Sequence, residues 1–285
     1  MGEARGDYIL LLNNDTFLHA GAVNALLESF THFDNVGAVC AQLRFADGRL
    51  QEAGGIVWSD GSAWNWGRGE HPKDPKFNYP REVDYGSAAA LMVSRKLWEQ
   101  LGGFDEDFAP AYYEDTDLCF AIRSLGHRVM YQPLAVVTHF EGVSHGTDTG
   151  VGIKAYQVRN KRRFADKWQQ VLSQHRSNGV EPMLERDRPA RARILWIEAC
   201  MLTPDQDSGS LRTIRLLRIL VRMGCKVTYV ADKLDGEEQY RSQLSREGVE
   251  VIHAPFFSSV RDYLRQHGAE FDIVTLCRHY IAIQH

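Results

Sequence analysis

The sequence predicts an α/β protein of two folded segments joined by a charged linker, and three stretches predict it. Tyr8-Ile9-Leu10-Leu11-Leu12 is an apolar run that switches abruptly to Asn13-Asn14-Asp15-Thr16. Such a run reads as a buried parallel strand ending in a polar loop. Pro182 to Arg193 is charged, contains Pro182 and Pro189 and has no periodicity, as a linker does. Beyond it, strand and helix patterns alternate regularly, which points to a parallel sheet covered by helices. The expected divisions are 1–178, a linker over 179–192, and 193–285.

Composition narrows the class. The 285 residues are 44% hydrophobic and 25% charged, values of a soluble globular protein. A net charge of −4 argues against nucleic acid as a partner. Cys40, Cys119, Cys200, Cys225 and Cys277 are odd in number and contain no CxxC pair. That fits a reducing compartment and neither a disulfide framework nor a zinc knuckle. No apolar run reaches the length of a membrane span and the first residues are not a signal peptide, so a cytoplasmic protein is expected.

In the first segment, Val23, Leu26, Leu27 and Phe30 have helical spacing. Val36 to Leu43 reads as a strand, and Asp47-Gly48 as the turn of a hairpin. Residues 54 to 81 are rich in Gly and Pro and carry Trp58, Trp64 and Trp66. Either the tryptophans anchor a long loop to the core, or Trp64 and Trp66 stack on a sugar. Tyr85-Gly86-Ser87-Ala88-Ala89-Ala90 suggests a close backbone approach feeding a buried strand. Ser94 is placed to cap a helix that Gly102-Gly103 stops.

Glu114-Asp115-Thr116-Asp117 opens a further helix, with Leu118, Ile122 and Leu125 on one face. Acids there suit a cap and the helix dipole. Three acids in four positions exceed what a cap needs, because clustered carboxylates repel without a cation or proton among them. Arg128 to Val137 reads as a strand leading to His139, which alone reads as a hydrogen-bonded structural residue or a ligand. A helix is expected over 153 to 172. Its basic stretch, residues 159–167, is a solvated face or a contact for an anionic membrane at the inner face of the plasma membrane.

Taken together, "LLLNNDT", "GSAAALMVSRKLWEQLGGFDEDF", "YYEDTDLCFAIRSLG", "VVTHFEGVSHG" and "NKRRFADKW" resemble the family 2 glycosyltransferases of GT-A fold, over roughly residues 4 to 170. The resemblance implies a mixed sheet with flanking helices. It makes Asp15 a metal ligand and places Asn13 and Asn14 at the donor nucleotide and phosphates. It makes Asp115 the general base beside Glu114, and His139 a second metal ligand. Asp117 and Arg123 become supporting residues. The implied donor is a nucleotide-diphosphate sugar, the acceptor a glycan or a lipid-linked sugar, and the cofactor Mn²⁺ or Mg²⁺. These residue types suit that chemistry: a divalent ion neutralises the departing diphosphate, and a carboxylate takes the acceptor proton in one inverting displacement. The family also has a strand, helix and strand upstream of the acidic motif. Here Asp15 lies fourteen residues from the start, so this chain is expected to be a fragment that binds nucleotide sugar weakly and turns over poorly, if at all.

After the linker, strands are expected at 194–197, 227–231, 249–252 and 273–276. Helices are expected at 210–223, 237–246 and 260–266, giving a Rossmann-like parallel sheet. Asp207-Ser208-Gly209-Ser210 opens the first of these helices, either as a plain N-cap or as a phosphate site. This segment resembles, more loosely, the N-terminal half of GT-B glycosyltransferases. Two other classes compete for the whole chain. One is a non-catalytic glycan- or partner-binding fragment. The other is a nucleotidyltransferase, which does not account for the Glu114-Asp115 helix start.

Overall fold

A computed structural model describes residues 5–140 and 155–285. Glu141 to Gly146, the tail of the "VVTHFEGVSHG" motif, lie outside the described residues. The described chain divides into two compact units, one formed by residues to 72 with 81–186, the other by 73–80 with 187–285.

In order, the first unit holds β1 (Tyr8–Leu12), β2 (Thr16–Leu18), α1 (Ala22–His32), β3 (Val36–Arg44), β4 (Leu50–Glu52), β5 (Gly55–Val57) and β6 (Ala63–Asn65). There follow β7 (Arg81–Glu82), β8 (Ala90–Ser94), α2 (Arg95–Leu101), α3 (Glu114–Ser124), β9 (Arg128–His139), α4 (Ala155–Lys167), α5 (Gln169–Leu172) and α6 (Pro182–Arg186). Its main sheet runs β1-β8-β3-β9-β2, with β4 on β3 and β7 on β9. Only β3 and β9 pair in parallel; the other pairs are antiparallel. β3 is buried along almost its whole length, because α1 covers one face through Leu26, and α2 and α3 lie on the other.

Several expectations change here. β1 is antiparallel to β8 and carries exposed Tyr8 and Leu12, so its apolar run marks a half-covered strand rather than a fully buried parallel one. Residues 54 to 81 hide a two-stranded hairpin, β5 with β6. Ser94 sits at the N-cap of α2 but makes no side-chain cap bond; Gly102, at φ 79°, ends that helix as expected. The helix expected over 153–172 breaks at Trp168. The linker stretch begins as α6, whose Glu185 is fully buried and ion-paired to Arg176 at 3.2 Å. The hairpin at Asp47-Gly48 forms as read.

The second unit contains β10 (Arg193–Glu198), α7 (Ser208–Arg222), β11 (Lys226–Ala231), α8 (Glu238–Arg246), β12 (Val249–Ile252), α9 (Val260–His267), β13 (Ile273–Leu276) and α10 (His279–Gln284). Its four strands are all parallel, in the order β12-β11-β10-β13. Two apolar clusters form, one around Ile214, Leu217 and Leu244, the other around Leu195, Val260 and Tyr263. No helix among the described residues is long and apolar enough to cross a membrane.

Candidate active site

Antiparallel pairing puts Leu12 opposite Ala90, so the end of β1 lies beside the start of β8. There the Asn13 N–H donates to the Ala89 carbonyl at 3.2 Å. Asn13 and Asn14 are exposed on the turn that follows. β2 then pairs with the end of β9, opposing Thr16 to His139, and the Phe140 N–H donates to the Asp15 carbonyl at 2.9 Å. The result brings His139 Nε2 to 3.2 Å from Asp15 Oδ1 and 3.4 Å from Asn13 Nδ2.

The other ring nitrogen fixes what this means. His139 Nδ1 is 2.9 Å from Gln51 Oε1, an acceptor, so Nδ1 carries a proton. Nε2 then turns its lone pair toward the Asp15 carboxylate, with the Asn13 side-chain amide within 3.4 Å. Two ligand atoms at about 2.1 Å from one ion and at right angles lie about 3 Å apart. The Asp15–His139 spacing is that of two neighbouring ligands of one divalent ion, and Gln51 fixes the orientation of the imidazole through its other nitrogen. Among the described residues no group of three His, Cys, Asp or Glu could hold a metal, so water and ligand oxygens must supply the rest of any shell.

The second group lies one peptide away. Ala88, next to the Ala89 that holds Asn13, donates its N–H to Asp115 Oδ2 at 3.1 Å. Asp115 Oδ1 accepts the Thr116 N–H at 2.7 Å. Burial raises the Asp115 carboxyl above its ordinary value, against the pull of these donors. Glu114 is pushed up to about 7, by burial first and by Asp115 second, and its Oε2 is buried without a hydrogen-bond partner. A carboxyl raised to about 7, as Glu114 is, suits proton transfer at neutral pH.

The approach to α3 is tightly held. Tyr112 and Tyr113 both adopt left-handed backbone, at φ 70° and 72°, which costs roughly 1–3 kcal/mol at each bulky residue. Asn160, fully buried on α4, compensates by donating to the carbonyls of Phe108, Ala111 and Tyr112 at 2.7–2.9 Å. Asp117 supports the same helix, accepting from Lys167 Nζ at 2.8 Å and Trp168 Nε1 at 2.7 Å. Arg123 pairs with Asp84 at 3.1 Å.

The structure also gives partners within the protein to four cations of the 159–167 basic stretch. Arg159 donates to the Ala109 carbonyl and Arg163 to that of Asp107. Lys161 pairs with Asp60, and Lys167 with Asp105 and Asp117. Those cations are engaged by the protein's own acidic and carbonyl groups.

The tryptophans separate. Trp66 is buried, with the Arg186 guanidinium 5.6 Å above its ring, which is the anchoring role rather than an open stacking face. Trp64 is 40% exposed and packs edge-on against Trp58.

No family model matches the chain. The N-acetylglucosaminyl-diphospho-decaprenol L-rhamnosyltransferase of Mycobacterium tuberculosis is 26% identical over 176 residues, covering 56% of this chain and 56% of that protein. The O-antigen biosynthesis protein RfbC of Myxococcus xanthus is 30% identical over 151 residues, covering 51% of this chain and 12% of its own. The protein y4gI of Sinorhizobium fredii is 28% identical over 151 residues, covering 51% and 16%. Over about half of its length this chain is thus similar to a rhamnosyltransferase and to an O-antigen biosynthesis protein. It spans about half the length of the rhamnosyltransferase and a smaller part of the other two. Among solved structures, GalNAc-T7 with UDP, GalNAc and Mn²⁺ overlays 61% of this chain and 35% of its own at a TM-score of 0.46 and 12% identity.

Within the first unit, sequence reasoning missed two residues beside these groups, Gln51 and Glu52 on β4. Consecutive strand residues point to opposite faces. Gln51 therefore reaches His139, while Glu52 Oε1 accepts the Ser87 N–H at 2.9 Å beside the Asp115 group. The available signal was a Gln-Glu pair set between Leu50 and Ala53-Gly54-Gly55, polar residues where the strand is otherwise apolar.

Proposed function

We propose that this chain carries the transfer site of a glycosyltransferase that moves a sugar from a nucleotide-diphosphate donor to an acceptor hydroxyl, with inversion and with a divalent metal. The observation that supports it best is the join at Ala88-Ala89. One residue binds Asp115 and the next binds the Asn13 loop, so a candidate base and a candidate metal pair are held on one short turn.

In this reading Asp15 and His139 hold Mn²⁺ or Mg²⁺, which neutralises charge on the diphosphate. Asn13 and Asn14, exposed beside the pair, offer amide donors to the donor's phosphates and ribose. Asp115 accepts the acceptor's hydroxyl proton as that oxygen attacks the anomeric carbon. The bond from that carbon to the diphosphate oxygen breaks, and its electron pair leaves with the diphosphate. Burial makes Asp115 a stronger base than an exposed aspartate. Thr116 and Ala88 fix its two oxygens without consuming its charge. Glu114 stands beside it as a second proton-holding group. The M. tuberculosis relative's name points to a diphosphate-lipid-linked sugar as the acceptor class, and Trp64 offers the exposed ring for stacking on it.

The test incubates the chain with Mn²⁺, a panel of UDP-, GDP- and dTDP-sugars and a polyprenyl-diphosphate-linked N-acetylglucosamine, and measures released nucleoside diphosphate. Slow Mn²⁺-dependent release is expected, detectable above the metal-free control and lost in Asp115→Asn and Asp15→Ala. Release that persists in Asp115→Asn sinks it.

A further inference from the structure

Glu52 is fully buried. One of its oxygens accepts the Ser87 N–H, and the other has no hydrogen-bond partner. The next amide along, that of Ala88, goes to Asp115. Two carboxyl groups thus take successive N–H groups of a single turn. The turn has little freedom to rearrange. A Cβ on Gly86 would fall 2.1 Å from the Cβ of Cys40, so only glycine lets the backbone pass there. The Ala90 N–H closes the turn onto the Ser87 carbonyl at 3.2 Å.

A buried carboxylate with an orphaned oxygen costs far more than the neutral acid. Two carboxyls fixed on one turn also resist ionising together, so the pair holds a proton. We propose that Glu52 is a positioning residue for Asp115: a neutral acid that fixes the Gly86–Ala89 turn, presents the Ala88 N–H to Asp115, and leaves Asp115 as the single anion of the pair. This rests on the transferase reading only in giving Asp115 a substrate proton to accept.

The surroundings agree. Burial is the largest influence on Glu52 and lifts it to about 8; the Ser87 N–H opposes this, the Asp115 charge adds to it, and Arg68 opposes it. The thiols of Cys40 and Cys119 and the Tyr85 hydroxyl also feel its charge, and each is pushed up, mainly by burial.

The experiment uses the full chain with ¹³C-labelled carboxyl groups and compares the parent with Glu52→Ala and Glu52→Gln. By NMR, Glu52 should be protonated at neutral pH, and its deprotonation should shift the Asp115 carboxyl resonance. Exchange of the Ala88 amide should be at least about tenfold faster in Glu52→Ala and close to the parent in Glu52→Gln. In the turnover assay Glu52→Ala should lower kcat about 10- to 100-fold with the donor KM little changed, and Glu52→Gln should recover most of the loss. An ionised Glu52 at neutral pH, an Ala88 amide indifferent to Glu52→Ala, or a Glu52→Gln variant no better than Glu52→Ala would overturn the proposal. Should Glu52→Ala not fold, the parent titration and Glu52→Gln decide it. A parent without sugar turnover counts against the transferase reading, while the NMR results still decide the role of Glu52.

Discussion

Two helices in this molecule begin beside an aspartate, and the two aspartates do different things. At α7, Asp207 turns both carboxylate oxygens onto its own helix start. Oδ1 accepts the Ser210 N–H at 2.7 Å, and Oδ2 accepts from the Ser210 and Thr203 hydroxyls. Those bonds hold the carboxyl below its ordinary value. At α3 the N-cap is Tyr113, which makes no side-chain cap bond. Asp115 gives one oxygen to the Thr116 N–H of its helix and the other to Ala88, in a turn far away in sequence. Burial raises it. Asp207 is an N-cap in one unit; Asp115, in the first turn of its helix in the other, is a buried carboxyl tied to a second element. What separates them is where the second oxygen goes.

The largest test of that contrast is Asp115→Asn, which keeps the shape and removes the basicity. Turnover should fall about 10³-fold with the circular dichroism and melting temperature preserved. A smaller effect is expected from Gln51→Ala, which frees the His139 ring. Mn²⁺ affinity, measured by calorimetry in the presence of UDP, should weaken about 10- to 100-fold. An unchanged affinity would remove His139 from the metal pair.

The third effect is on stability. Glu52 is raised from 4.5 to about 8 in the folded protein, so the native state binds more protons than the unfolded chain across that window. Its stabilising contribution is complete below the unfolded value and is lost as pH rises through the folded one. Glu114, raised to about 7, acts with the same sign. Urea titrations should therefore show stability declining from about pH 5 to pH 8 on account of these groups, and Glu52→Gln should flatten that slope. The smallest effect belongs to Asp207→Ala. It should leave transfer untouched and lower the melting of the second unit by roughly a few degrees at most.

The two units were not equally legible. In the second, every expected strand and helix appears within about two residues of its place, since a parallel sheet with covering helices writes continuous apolar strands and helical periodicity into the chain. The choice left open at Asp207 was settled by its own side chain, which occupies the helix start as a cap. In the first unit Asp115 binds the turn at Ala88, the Asn13 backbone binds it at Ala89, and Asp15 pairs with His139, but their surroundings were less readable. Tyr8 to Leu12 looked buried on both faces because five apolar residues follow one another, yet the strand is half-covered. The β5–β6 hairpin was masked by Gly and Pro signals that usually mark loops. Gln51 and Glu52 lie between the Asp47-Gly48 turn and the Gly-rich stretch from residue 54, and nothing in that local pattern marks them as facing inward. Only pairing of β4 with β3, far along neither strand's own pattern, carries them inside. Asn160 sat within a basic run and gave no sign of holding three carbonyls.

The central claim is that a metal at Asp15 and His139 and a base at Asp115 share one site, joined through Ala88 and Ala89. Paramagnetic broadening by Mn²⁺, added with UDP to the ¹⁵N- and ¹³C-labelled chain, tests it most directly. The account predicts strong broadening at the Asp15 and His139 side chains, the Ala88 amide and the Asp115 carboxyl, abolished together in Asp15→Ala. Broadening centred elsewhere, or unchanged in Asp15→Ala, would contradict it.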